Sequence, residues 1–303
     1  MQNYYRLLDV KVWQKLSERR GAQRMGVLHI VPGTDDIANG MVVVANLLAK
    51  EQGNEKVIDL RQGIRRIYGS DVEEVWVHGM WLPREWVACS LALKAGKRLV
   101  RMTHGSLSPV YLTQQSSLKK KLVSPIERYF LRRANRVVAT CEAERKWIRA
   151  YEPGIKEIEV TDLKRFFDFS HKEKRIGGTL HLLYLGRRHK LKGVEYIESC
   201  VNGLKNVDLR VVSDAAGEEK KLVWEWCDVL VLPTLSENFG LVIAEALARG
   251  KRVITTDGAP AWGGDNNYGG RLIYIKGFVE ASDSVKVALL KGAIESLQTI
   301  NAN

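Results

Sequence analysis

Glu237 and Glu245 stand with seven residues between them in the stretch LPTLSENFGLVIAEALARG, Leu232–Gly250. A carboxylate accepts two hydrogen bonds from vicinal hydroxyls, the pattern that a sugar or a ribose offers. The apolar run DVLVLP before them reads as a strand, and the residues from about Gly240 onward read as a helix. A helix start presents free N–H groups and the positive end of its dipole, which suits an anion. Glu245 lies about two helical turns beyond Glu237 and emerges near the same face. Without a ligand, Glu237 would be an acid favoured by the helix dipole and Glu245 a solvated helix residue. A basic stretch, LYLGRRHKLKGVEYI, places Arg187 and Lys192 after another apolar run, with Gly193 next. Fixed cations there could hold an anion. With Arg188 and Lys190 alongside, the stretch also reads as a solvated basic turn.

Such groups need elements to hold them, and short apolar runs alternate with helical patterns almost throughout. GVLHIV, KVIDL, EVWVHG, KRLVRMTHG and RVVAT read as strands in the first half; LHLLYLG, VDLRVVS, DVLVLP and RVITT do so in the second. Helical patterns lie between them, among them MVVVANLLAKE, REWVACSLALKAG, SPIERYFLRRA, GVEYIESCVNGL and EEKKLVWEW. Continuous apolar strands alternating with helices predict parallel sheets covered on both faces. The charged segment Glu159–Gly178 fits neither pattern and is the expected boundary. The organisation is therefore two Rossmann-like domains, residues 1–165 and 166–303, with ligands bound at the carboxyl ends of the strands in the cleft between them.

The chain has 303 residues, enough for two domains of about 150 each. Its net charge of +12 is lopsided: residues 1–165 hold 29 Lys and Arg against 18 acids, residues 166–303 hold 18 against 17. An anionic partner for the first half follows. No window approaches the roughly 18 uninterrupted apolar residues of a spanning helix. The N-terminus has no signal-peptide pattern. Cys89, Cys141, Cys200 and Cys227 are scattered, as reduced thiols of a cytosolic protein would be, and form no zinc motif. In SLKKKLVSPIERYFLRRANR, Lys119 to Lys121 and four arginines interleave with Leu118, Leu122, Ile126 and Tyr129. That mixture suits an amphipathic helix resting on an anionic membrane or, more simply, a solvated face. YYRLLDVKVWQKLSERR near the N-terminus is similar.

PTLSENFGLVIAEALARGKRVITT resembles the donor-binding segment of retaining glycosyltransferases of family 4, whose signature is a Glu, seven residues and a Glu, with Phe-Gly after the first acid and a Gly-x-x-Val-Ile strand following. The resemblance implies their GT-B fold, in which two Rossmann-like domains turn parallel sheets toward a central cleft. It implies that Glu237 faces the donor sugar near the reacting carbon and that Glu245 holds the ribose of the nucleotide. Asn238, Phe239, Gly240 and Leu241 would bring backbone N–H groups and a close-packed turn against the sugar and diphosphate. By the same resemblance Arg187 and Lys192 are the cations for the donor diphosphate. In the first half, VPGTDDIANGMVVV is similar to the family's opening strand and glycine loop, with Gly40 closest to the phosphates. RLVRMTHGSLSPVYL is similar to its His-Gly segment, which makes His104 a cleft residue contacting sugar hydroxyls or the reacting centre. His78 stays open between site and structure. Thr140 with Glu144 reads as a structural helix start.

The implied reaction moves one hexose from a UDP- or GDP-linked sugar to a glycan or lipid-linked glycan with retention of configuration, as in bacterial lipopolysaccharide, capsule or exopolysaccharide synthesis. No metal or other cofactor is expected. The protein would be cytoplasmic, peripheral on the inner face of the plasma membrane, and would bind no nucleic acid. The match is specific over Leu183–Ile254 and departs from the family in two places. Only Asp214–Cys227 joins two strands where the family has an extra strand and helix, and EVTDLKRFFDF replaces a Pro-Asn-Gly hinge. Three rivals remain: a GT-B sugar-nucleotide epimerase, a nucleic-acid-binding protein, and a catalytically silent relative that binds glycans.

Overall fold

Runs of Val, Ile and Leu too short to make helices build both sheets. The structure is a computed structural model describing residues 26–33, 40–53, 57–60, 64–114, 118–171, 178–213, 215, 217–264, 266 and 268–302. It divides into two compact units between Phe166 and Phe167. The N-terminal basic stretch, residues 34–39 and part of the charged boundary segment lie outside the described residues.

In the first unit the strands are β1 (Val27–Val31), β2 (Val57–Asp59), β3 (Glu74–His78), β4 (Arg98–Met102), β5 (Arg136–Ala139) and β6 (Ile158–Val160). They lie in the order β2-β1-β3-β4-β5-β6, all parallel. The helices are α1 (Gly40–Glu51), α2 (Pro83–Lys94), α3 (Pro109–Gln114), α4 (Leu118–Arg133) and α5 (Glu142–Tyr151). From β1 the chain goes outward to β2 and returns to β3 on the other side, so the carboxyl ends of β1 and β3 flank a topological switch point.

The two faces of this sheet differ. Leu28, Ile30, Val75, Val77, Leu99 and Val137 belong to the apolar core. Each such side chain stabilises the fold by roughly 1.5–3 kcal/mol through burial. Successive side chains of a strand alternate in direction, so His29, Trp76 and His78 face the opposite way, and they are buried as well.

The expected boundary segment starts inside the fold. Glu159 and Val160 end β6, Leu163–Phe166 make a 3₁₀ turn, and Phe169 packs edge-on against Tyr268 of the second unit, 5.0 Å between ring centres. β6 is a half-buried edge strand of three residues, too short to show a pattern among its charges.

The second sheet contains β7 (Leu180–Leu185), β8 (Val207–Val212), β9 (Val229–Leu232), β10 (Arg252–Thr256) and β11 (Leu272–Ile275), again parallel, in the order β11-β10-β9-β7-β8. Its helices are α6 (Val194–Val201), α7 (Gly217–Trp226), α8 (Leu241–Ala248) and α9 (Asp283–Ala302). The chain passes from β7 to the edge strand β8, then back through α7 to β9 on the far side of β7. The carboxyl ends of β7 and β9 therefore flank a second switch point. Among the described residues α7 is the only regular element between β8 and β9.

Candidate functional site

Three loops interlock at the carboxyl ends of β7, β9 and β10, which are neighbours in the second sheet. After β7 comes a 3₁₀ turn, Lys190–Lys192, in which the Leu191 carbonyl accepts from the Leu235 amide at 2.8 Å and from Thr234 Oγ1 at 2.9 Å. The Glu237 amide donates to the Gly258 carbonyl at 2.8 Å. Glycine is required at both seams. Gly193 has a φ of 63°, and a Cβ there would stand 2.2 Å from the Pro233 carbonyl oxygen. A Cβ at Gly258 would stand 2.0 Å from the Thr234 carbonyl oxygen. Any side chain at either place would push the Glu237 loop away from its neighbour.

This packing brings two of the expected site residues together: the Lys192 ammonium bonds directly to Glu237 Oε2. The other Glu237 oxygen accepts from the Asn238 amide at 3.1 Å. Gly240, at a φ of 71°, is the N-cap of α8, with a virtual Cβ 3.0 Å from Ile243 Cδ1. Leu241 opens the helix, and the Ile243 amide of its first turn donates to the Gly240 carbonyl at 2.9 Å. Phe239 is 3% exposed and packs on Trp262, 5.4 Å between ring centres, while the Trp262 indole donates to the Phe239 carbonyl. Only backbone of Phe239 is left to meet a ligand.

Glu245 has a partner of its own. It pairs with Lys220 of α7, Nζ to Oε2 2.7 Å, with both side chains nearly buried. Arg187 is exposed and makes no ion pair among the described residues, whereas Arg188 is taken up by Glu198 at 2.5 Å. The buried Tyr184 phenol donates to the Arg187 carbonyl at 2.9 Å and shapes that turn. Burial first, then the nearby Glu237 charge, pushes this phenol above its ordinary pKa.

The remaining expected residues belong to the first unit. Gly40 is the exposed first residue of α1. His104 follows β4 in a left-handed conformation, φ 50°, rare for a residue with a side chain. Glu144 holds this loop: its Oε1 accepts from Thr103 Oγ1 at 2.7 Å and from the Gly105 amide at 2.6 Å. Its Oε2 accepts from the Thr140 amide at 2.7 Å and Thr140 Oγ1 at 2.8 Å. Glu144 is thus both a helix start, as its spacing from Thr140 suggests, and a brace on either side of His104.

His104 Nε2 lies 2.8 Å from His78 Nδ1, and His78 Nε2 lies 2.9 Å from His29 Nδ1. His29 Nε2 ends the row, 2.8 Å from Gln52 Oε1. Burial depresses all three rings: His29 to about 4, His104 to about 3, and His78 well below the ordinary value. At neutral pH they are uncharged. Behind His78, Arg101 and Glu127 form a fully buried ion pair at 3.0 Å. Burial raises Glu85 to about 7, against the lowering effect of Arg101.

Lys220, His29 and Gln52 escaped sequence reasoning. Lys220 sits in EEKKLVWEW, where flanking charges suggest a solvated helix. His29 is one polar residue in an apolar run, and nothing in a sequence tells which way it faces. Among the described residues no group of His, Cys, Asp and Glu is disposed to hold a metal ion, and no helix is long and apolar enough to cross a membrane.

Residues 18–161 match the Glycosyl transferase 4-like domain and residues 163–283 match Glycosyl transferases group 1. No curated protein sequence matches the chain. Among solved structures, HepE of Anabaena in complex with UDP-glucose is similar over 92% of both chains, at 13% identity and a TM-score of 0.61. Sucrose-phosphate synthase from Thermosynechococcus elongatus is 15% identical over 80% of this chain and 68% of its own, with a TM-score of 0.59. A trehalose 6-phosphate synthase from Burkholderia multivorans is 11% identical over 90% of this chain and 88% of its own, with a TM-score of 0.56. These likenesses establish the two-domain α/β architecture.

Proposed function

The chain belongs to the glycosyltransferases and has their GT-B fold, and on that premise we propose that it transfers a hexose from a nucleotide diphosphate sugar to a glycan hydroxyl with retention of configuration. The Lys192–Glu237 pair carries this reading, because it sets a cation and an acid side by side at the switch point where β7 and β9 end. A diphosphate arriving there draws the Lys192 ammonium from the carboxylate and leaves Glu237 to accept from sugar hydroxyls. Arg187, exposed at the same turn, adds a second cation. Lys220 occupies one Glu245 oxygen, which leaves the other for the ribose. UDP-glucose in HepE supports a nucleotide-linked donor here. No nucleophile is needed when the leaving phosphate itself helps to deprotonate the acceptor.

The acceptor is a glycan carried on lipid, as in bacterial surface-polysaccharide synthesis. α4 supports this part of the proposal. Leu118, Leu122, Ile126 and Tyr129 fall at helical spacing and are 74%, 70%, 39% and 45% exposed, beside the exposed Lys121, Arg132 and Arg133. Apolar side chains between cations suit the surface of an anionic bilayer.

Calorimetric titration with UDP, GDP and ADP, without metal, tests the donor half. Micromolar binding of one nucleotide, lost in Glu245→Ala, is expected. Absence of binding to all three overturns the transferase and favours the silent glycan-binding relative, for which the single helix between β8 and β9 speaks.

A further inference from the structure

The row Gln52–His29–His78–His104 is polar and continuous, buried at His29 and His78 and half-buried at both ends, and neither a core nor the donor site requires it. Its rings face one another through nitrogens 2.8–2.9 Å apart, so they are linked by hydrogen bonds and do not converge on a common ligand. Trp76 stacks on His29 at 5.0 Å and closes the row from the side. Other charged groups nearby are already occupied: Arg101 by Glu127, Arg136 by Glu74 and Glu159, Glu144 by the His104 loop.

A neutral imidazole carries one N–H and one bare nitrogen, so each ring that donates on one side must accept on the other. The end of the row sets the direction. Gln52 Oε1 can only accept, so His29 donates through Nε2 and its Nδ1 is bare. His78 then donates to that nitrogen through Nε2, and its own Nδ1 is bare. His104 in turn donates through Nε2. Its Nδ1 is left as a lone pair, and among the described residues no protein group donates to it.

We propose that Gln52, His29 and His78 are positioning residues that fix His104 in its Nε2–H form, so that His104 Nδ1 accepts a hydrogen bond from a substrate sugar hydroxyl. This rests on the proposed transfer function and on the reading, implied by the family resemblance, that His104 meets a substrate sugar. Burial of the rings is consistent with it, since a row kept uncharged keeps its direction as the pH changes. In this arrangement His104 takes hydrogen bonds from substrate and gives none.

The test is nitrogen-15 NMR of the full chain labelled at histidine, which reads each ring's protonated nitrogen directly, with single His→Asn variants for assignment. His29, His78 and His104 are expected as Nε2–H forms from pH 8 to pH 5. Gln52→Glu keeps an acceptor for the His29 Nε2 proton, so at pH 8 His104 should remain protonated at Nε2. Gln52→Lys offers a donor and should reverse the row, placing the proton on His104 Nδ1. Transfer should then fall about tenfold, the size of one misdirected hydrogen bond, with UDP affinity unchanged. His104 protonated at Nδ1 in the unsubstituted protein overturns the inference, as does an unaltered row in folded Gln52→Lys. Should Gln52→Lys fail to fold, the unsubstituted spectrum and Gln52→Glu decide the matter. Failure of nucleotide binding would sink the transferase proposal and leave the ring spectrum standing, so the two outcomes are separable.

Discussion

Lys220 Nζ lies 2.7 Å from Glu245 Oε2, and both side chains are about nine-tenths buried. A helix with the composition of a solvated surface thus supplies the counter-charge for the acid expected to hold a ribose. Removing one member of such a pair strands the other. Lys220→Met should cost about 3 kcal/mol of unfolding free energy, read by urea titration. The double variant Lys220→Met/Glu245→Leu should recover most of that stability yet still fail to bind nucleotide. Recovery of binding in the double variant would show that Glu245 does not touch the ligand.

On the proposed reading Lys192 and Arg187 act on phosphate, so their loss should depend on how many phosphates the ligand carries. Lys192→Ala is expected to weaken UDP about tenfold or more, the worth of one charge-assisted hydrogen bond. It should leave uridine binding unaltered, and Arg187→Ala should behave alike. Equal losses for uridine and UDP would place both residues elsewhere.

Glu144 serves Thr103, Gly105 and Thr140 with two oxygens. Glutamine keeps one oxygen and turns an amide toward donors that need an acceptor. Glu144→Gln should lose about 2–3 kcal/mol of stability and slow transfer, since His104 is held in a left-handed conformation by those bonds. Retention of full activity would mean that the His104 backbone keeps its place without the brace.

Stability should fall on acidification. His29 and His104 titrate near 4 and 3 when folded but near 6.5 when unfolded, so the unfolded chain takes up protons first. Their contribution is complete above about pH 6.5 and shrinks as the pH drops toward 4. Glu85, raised to about 7 from 4.5, works in the opposite sense: its contribution is complete below pH 4.5 and is lost as the pH rises through 7. Melting temperatures between pH 8 and pH 4.5 should therefore decline on the acid side, and more steeply in Glu85→Gln, where the opposing contribution is gone. A flat curve in both proteins would contradict the buried, neutral rings.

The parallel sheets were legible because their strands are continuous apolar runs, as in DVLVLP and RVITT, and the turn into α8 because Gly240 stands between such a run and a helical pattern. What stayed hidden has a common physical cause. Lys220, Gln52 and His29 gain their partners 25, 23 and 49 residues away, in Glu245, His29 and His78. Register and crossover order decide such meetings, and neither is written in local composition. β6 stayed hidden for a simpler reason: three half-buried edge residues among charges carry no period.

Lys192, Glu237, Glu245, Lys220 and the glycines that lock their loops all lie within residues 192–258. Every bond described between them is internal to one unit. In evolutionary terms, that stretch is a cassette: recombination could exchange it whole, and drift could retune its choice of donor without disturbing the row of rings in the other unit. On the proposed reading, two specificities that meet in one reaction are then free to change at different rates.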